Sequence, residues 1–137
     1  MIYACATAPE QEAAQRAGLE SSLIGLRGMN GLPQGRLVSF GLAGALRDGL
    51  PCGTVLDAVL VVDEDGRELW RGEGLGVPGA HPGTVLATDR IIDDPAERRL
   101  AFERTGADAA DLESGPIART GRMTGCLRVV SLSLIHI

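Results

Sequence analysis

The chain has 137 residues, the size of one domain, with 45% hydrophobic residues, only 3% aromatics and a net charge of -5. Its 13 basic residues form no cluster, which excludes a nucleic-acid groove. No run is long and apolar enough to span a bilayer, and no charged-then-apolar leader opens the chain. The core must therefore be built from Val, Leu, Ile and Ala.

MIYACATA (1–8) has the length of a short apolar strand. Pro9 then suits a first helical position, and EQEAAQRAG closes at Gly18. Residues 19–35, rich in glycine and holding Pro33, predict a loop or a poor helix followed by a turn. RLVSF (36–40) is a second strand running into GLAGAL, and GTVLDAVLVVD (53–63) is a long β-branched strand. DEDG (63–66) turns, and RELWRG (67–72) pairs back as a hairpin. Residues 72–83 read as a flexible loop and TVLATDRII (84–92) as a strand. Asp94, Pro95 and Gly106 bracket a helix. ADAADLESGPIART (107–120) reads as a brief strand entering a helix, and CLRVVS (126–131) as a last buried strand. Strands alternating with helices, several apolar on both faces, predict an α/β fold: a mixed central sheet flanked by helices in three layers.

Cys5, Cys52 and Cys126 are an odd number, each in or beside an apolar segment. They read as reduced core residues of a cytosolic protein. His81 and His136 do not complete a zinc spacing, so no metal is expected. GLRGMNG (25–31) has the glycine content of a nucleotide loop, but its spacing is GxxGxxG and a helix separates it from the first strand. GEGLG (72–76) is followed by Pro78 and Pro82, which forbid a helix there. SFGLAG (39–44) directly follows a strand. Gly41 and Gly44 would let a ligand approach the backbone, unless the segment is simply a tight turn.

SFGLAGAL, GTVLDAVLVVD, TDRII, GADAADLESGPIA and RVVS, in that order, resemble the nucleoside phosphorylase and nucleosidase superfamily. The pattern is most similar to the methylthioadenosine/S-adenosylhomocysteine nucleosidases, with features of the hopanoid-biosynthesis-associated phosphorylase-like branch. The resemblance covers nearly all of residues 1–131. It implies a three-layer phosphorylase/hydrolase-like domain that cleaves the N-glycosidic bond of a purine nucleoside, without a cofactor. Its partners would be a small-molecule nucleoside, water or phosphate as acceptor, and further copies of itself, with no nucleic acid and no integral membrane.

Cleavage of a ribose–base bond passes through an oxocarbenium-like state and needs three groups. A carboxylate must hold the ribose hydroxyls, a second must position water, and an acid must protonate the base. The resemblance gives the first task to Glu113, for which the plain alternative is a first-turn helix acid. It gives the second to Glu12, with Glu10 as the N3 acid of a capping box on Thr7. Gly41, Leu42, Ala43 and Gly44 would line the substrate, Leu112 would stand beside the ribose, and Ile91 and Ile92 would meet the base. Asp89 would support the base or cap a turn. Phosphorolytic members hold phosphate with an arginine and a Ser/Thr; Ser39 and Leu42 stand at the matching places, which favours hydrolysis. The shortened segment before RLVSF would remodel the pocket for a large 5′ group such as that of adenosylhopane.

The acid is expected directly after Ser131, where Leu132 stands. LSLIHI (132–137) matches, residue for residue, one translated frame of the transposase end sequence used in DNA library preparation. Residues 1–131 are therefore expected to be a truncated domain and 132–137 an adapter translation, the fragment itself being inactive. The second reading is a nucleoside-binding or scaffold protein with an eroded site on the same fold.

Overall fold

The computed structural model describes residues 1–132. The expectation for the tail, apart from the backbone of Leu132, lies outside the described residues.

Strand β1 (Ile2–Cys5) leads into helix α1 (Ala8–Arg16), then β2 (Ser21–Leu23) and a 3-10 turn at Leu26–Gly28. The long β3 (Leu37–Ala45) and β4 (Val55–Val62) follow, with β5 (Glu68–Arg71) hairpinned onto β4. β6 (His81–Ala87), α2 (Pro95–Thr105), β7 (Ala109–Asp111), α3 (Ser114–Arg119) and β8 (Met123–Leu132) complete the chain. The architecture is α/β, with one mixed sheet and three α-helices among the described residues, as the alternating pattern implied.

The sheet also closes on itself. β3 pairs with β7, β7 with β6, β6 with β4, β4 with β8, and β8 with β3. β1 and β2 extend from β3, and β5 from β4. Closure is possible because two strands change partner along one edge. β3 holds β1 through Leu37–Phe40 and β7 only at Gly44–Ala45, so residues 41–43 have no strand on that side. β4 likewise holds β8 at Val55–Asp57 and β5 at Leu60–Val62. The first of these gaps becomes the site.

The core is aliphatic, as the composition required. Val61, Val85, Leu37 and Ile117 pack together with Ala4 and Ile24, and Leu46, Leu86, Ile92 and Ala101 form a neighbouring cluster under α2. Gly106 closes α2 in the left-handed conformation at φ 73°, with Asp94 and Pro95 at its start.

Several expectations are corrected. β2 lies inside the segment expected to be loop, with Tyr3–Cys5 opposite Ser21–Leu23. SFGLAG is not a turn: it is the middle of β3. The strand expected at 84–92 runs instead from His81 to Ala87, and Thr88–Ile92 form a loop. The segment after Gly72 is tethered, because the carboxylate of Asp57 accepts backbone N–H groups of Leu75, Gly76 and Val77 at 2.8–3.3 Å. Cys5 and Cys126 are buried, but Cys52 is exposed, its Sγ donating to the Ser131 carbonyl at 3.1 Å. It sits in the turn before β4, where no apolar layer covers it.

Candidate active site

A cavity of about 190 Å³ opens where the carboxyl ends of β1, β6, β7 and β8 meet the middle of β3. Ligands of α/β sheets bind at this kind of place, beyond strand ends and where the strand order breaks. Glu10, Leu42, Ala43, Gly44, Ile91, Ile92, Leu112 and Glu113 all line it, with Asp111, Thr88 and Ser131. Of the expected site residues, Glu12 and Gly41 do not.

Glu12 lies exposed on the outer face of α1. The acid of α1 that lines the cavity is Glu10. Thr7 is the N-cap of α1, so Glu10 is N3 and its side chain turns back over the helix start. Its Oε1 accepts the N–H of Ala6 and of Thr7, each at 3.0 Å, and its Oε2 accepts the N–H of Leu42 at 2.8 Å. Leu42 lies where one edge of β3 has no strand, so the carboxylate takes the place of a strand on that edge. The capping role and the site role fall on one side chain. A carboxylate has about four acceptor directions, and three are filled here, leaving one.

Gly41 serves behind the cavity wall. Its φ is 153°, and a Cβ there would overlap Glu10 Oε2 and come within 2.8 Å of Arg128 Nη1. The absent side chain is what lets the two charged groups meet at the backbone.

Glu113, only 4% exposed, closes β7 and precedes α3. It makes no helix-cap hydrogen bond. Its Oε2 instead accepts the N–H of Arg27 at 2.9 Å, and its Oε1 lies 3.8 Å from Arg128 Nη1. Burial pushes its carboxyl up from the usual range, a rise that Arg128 and the Arg27 N–H partly oppose and that Asp111 and Glu10 add to. Arg27 is the only described non-glycine residue at positive φ. Its Nε also donates to the Asp89 carbonyl at 2.7 Å, so it ties the 88–92 loop to Glu113. Asp89 is thus engaged there through its backbone. The loop's other end is fixed by buried Arg98, whose Nε donates to the Ile92 carbonyl at 2.8 Å.

Sequence reasoning missed Arg128. It is 1% exposed, and its Nε stands 2.8 Å from Asp111 Oδ2. Its Nη1 donates to the Leu42 carbonyl at 3.2 Å and its Nη2 to Ser39 Oγ. The signal was present: one arginine within the apolar run CLRVVS must find a buried anion, and AAD in β7 offers one. Among the described residues no cluster of His, Cys, Asp or Glu is arranged to hold a metal.

No family model matches the chain, and no curated protein matches it. Solved structures do. The chain is similar to the 5′-methylthioadenosine/S-adenosylhomocysteine nucleosidase of Neisseria meningitidis, in complex with methylthio-immucillin-A, at a TM-score of 0.70 and 18% identity, covering 97% of this chain and 85% of that one. The fold is that of these nucleosidases. The Helicobacter pylori nucleosidase, solved with a pyrrolidine-based ligand, aligns at a TM-score of 0.54 and 16% identity over 69% of this chain. A futalosine hydrolase mutant from the same organism aligns at 0.55 and 14% over 74%. The chain spans 54% and 58% of the length of those two proteins. The nucleosidase fold accounts for the mixed sheet.

Proposed function

We propose that this site binds a purine nucleoside and that the parent protein hydrolyses its N-glycosidic bond. The observation that carries the reading is the pair of buried carboxylates, Glu10 and Glu113, facing one cavity with Arg128 behind them. In this reading Glu113 accepts the ribose hydroxyls, and Leu112 packs beside the sugar. Ile91 and Ile92 flank the base. Glu10, in place of Glu12, uses its remaining acceptor direction to orient water and take its proton as the C1′–N bond breaks. The electron pair of that bond leaves with the base, which an acid after Ser131 must protonate.

Water is favoured over phosphate on electrostatic grounds. A cation is present after all, in Arg128, but Asp111, Glu113 and Glu10 surround it. A phosphate dianion would enter a site whose charge is already negative. The walls also suit an apolar 5′ group, because Leu26, Leu42 and Ile91 line the cavity while remaining 53%, 50% and 64% exposed. A large lipid substituent, as in adenosylhopane, fits that mouth. A full-length homologue that cleaved methylthioadenosine efficiently and ignored adenosylhopane would count against it. The parent is further proposed to be a cytoplasmic homo-oligomer.

Leu132 at the acid's position supports the second reading, a nucleoside-binding protein without turnover. Residues 132–137 are proposed to be the adapter translation, and the codon after Ser131 in the uncut gene tests that directly. Adenosine binding by calorimetry and adenine release by chromatography test the rest, on this chain and on Leu132→Asp, with and without phosphate. Binding by both, with phosphate-independent release only by the variant, is the expected result. Absence of adenosine binding overturns the nucleoside reading, and release that requires phosphate overturns hydrolysis.

A further inference from the structure

Behind the cavity lies a polar circuit in which two buried serines join Arg128 to Asp111. Ser39 on β3 and Ser114 at the start of α3 are fully buried, and their Oγ atoms stand 2.8 Å apart. Ser114 Oγ is 2.5 Å from Asp111 Oδ2, and the Ser114 N–H donates to Asp111 Oδ1 at 2.9 Å. Arg128 ion-pairs with Asp111 at one end and donates to Ser39 at the other.

The proton directions in this circuit are determined by chemistry. An ionised carboxylate only accepts, so the single Ser114 hydroxyl hydrogen goes to Asp111. Ser114 must then accept from Ser39, and Ser39 accepts from the Arg128 guanidinium, which only donates. The order is Arg128 Nη2 to Ser39 to Ser114 to Asp111, with the ion pair closing the loop. A cation at one end and an anion at the other strengthen each link. Nη2 is committed to Ser39, and Nε stands against Asp111 as an ion pair without a hydrogen bond, so Nη1 is the arm left facing Leu42 and Glu113.

We propose that Ser39, Ser114 and Asp111 are positioning residues: their one-way circuit fixes the Arg128 guanidinium so that its Nη1 arm is presented to Glu113. This deepens the nucleoside reading, on which the importance of Glu113 rests, but the geometry stands without a ligand. Charged groups facing Glu113 come from three elements: Glu10 on α1, Arg128 on β8 and Asp111 on β7, with the Arg27 N–H from the 3-10 turn. Removing the Ser114 hydroxyl deprives Asp111 of its neutral donor, so Asp111 draws Arg128 toward itself and away from Glu113. The Glu113 carboxyl should then hold its proton to higher pH.

The test is the carboxyl carbon-13 titration of Glu113 in the ligand-free chain, compared among the native sequence, Ser114→Ala, Ser39→Ala and Cys126→Ala. Cys126 Sγ lies 3.4 Å from Ser114 Oγ and also contacts Arg128, but as a neutral thiol, so its truncation disturbs the same packing while leaving every member of the circuit in place. The expected result is an upward move of the midpoint, by about 0.5 pH or more, in either serine variant that folds, and no move in Cys126→Ala. Equal midpoints in all four proteins, or an equal move in the cysteine variant, overturn the proposal. Adenosine binding by the native chain is measured alongside. Its absence defeats the nucleoside reading while leaving the titration result, and with it the circuit, to be judged separately.

Discussion

The carboxylate of Glu10 accepts the backbone N–H of Leu42 at 2.8 Å, across the gap where β3 has left β1 and not yet met β7. One side chain thereby caps α1, completes the sheet edge and lines the cavity. Each accepted N–H is a hydrogen bond to a charged group, and truncation leaves the Ala6 and Leu42 donors unpaired. Glu10→Ala should destabilise the chain by about 3 kcal/mol. Glu12→Ala, on the exposed face of α1, should change stability by less than about 0.5 kcal/mol. Urea unfolding of the two variants separates the roles. Equal losses would mean that the capping and edge bonds of Glu10 contribute nothing specific.

Gly41 is predicted to tolerate no side chain. A methyl group there occupies the space of Glu10 Oε2 and crowds Arg128 Nη1, and neither group can retreat without breaking buried contacts. Gly41→Ala should cost about 2 kcal/mol or more and abolish adenosine binding in calorimetry. A variant of native stability and affinity would show that the two charged groups do not need to meet at that backbone.

How legible these features were depended on how local their causes are. β4 and α2 were readable because a β-branched run and the Asp94, Pro95 and Gly106 punctuation act within their own segments. β2 and β7 are three residues each, too short to show a period, and exist because neighbouring strands recruit them. The sequence offered both Glu10 and Glu12 and divided the cap from the cavity-lining acid between them; only the placement of the N3 side chain against Leu42 brings both places to Glu10. The partner changes of β3 and β4, which close the sheet, are long-range facts with no local pattern. So is the Asp57 tether that turns an expected flexible loop into a fixed one.

That tether yields a prediction of its own. Asp57 is buried and its carboxylate is occupied by backbone donors from the 75–77 segment. Asp57→Ala should cost about 2–3 kcal/mol and speed proteolytic nicking between residues 72 and 80. Limited proteolysis followed by mass spectrometry reads the cut site. Unchanged resistance there would mean that the loop is held by other contacts, such as Leu75 against Gly125.

The three thiols should divide sharply in reactivity. Burial pushes Cys5 and Cys126 up to about 11, so at neutral pH neither is a thiolate nor open to reagent. Cys52 is exposed. Ellman titration of the folded chain should release one equivalent quickly and the other two only on unfolding. Two fast equivalents would contradict the packing around β1 or β8.

Glu113 should impose a measurable pH dependence on stability. Its carboxyl is raised in the folded chain, chiefly by desolvation, so the folded state binds its proton more tightly than the unfolded state does. Between the ordinary glutamate value and the raised one, the unfolded chain holds fewer protons, and stability falls as pH rises. Below that window the burial carries no ionisation penalty; above it the penalty is complete. Glu113→Gln keeps an acceptor for the Arg27 N–H without the charge. It should match the native chain in stability at pH 4 or below and exceed it progressively toward pH 8. The same variant should lose adenosine affinity, since a neutral amide is a poorer partner for a diol. A carboxylate kept at a cost to folding, in a cavity beside a buried arginine, is what a binding site requires and what a packing role would not. Denaturation midpoints for both proteins across pH 4–8 decide it: if Glu113→Gln is the less stable at every pH, the charge of Glu113 serves the fold, and its assignment to the ribose loses its physical support.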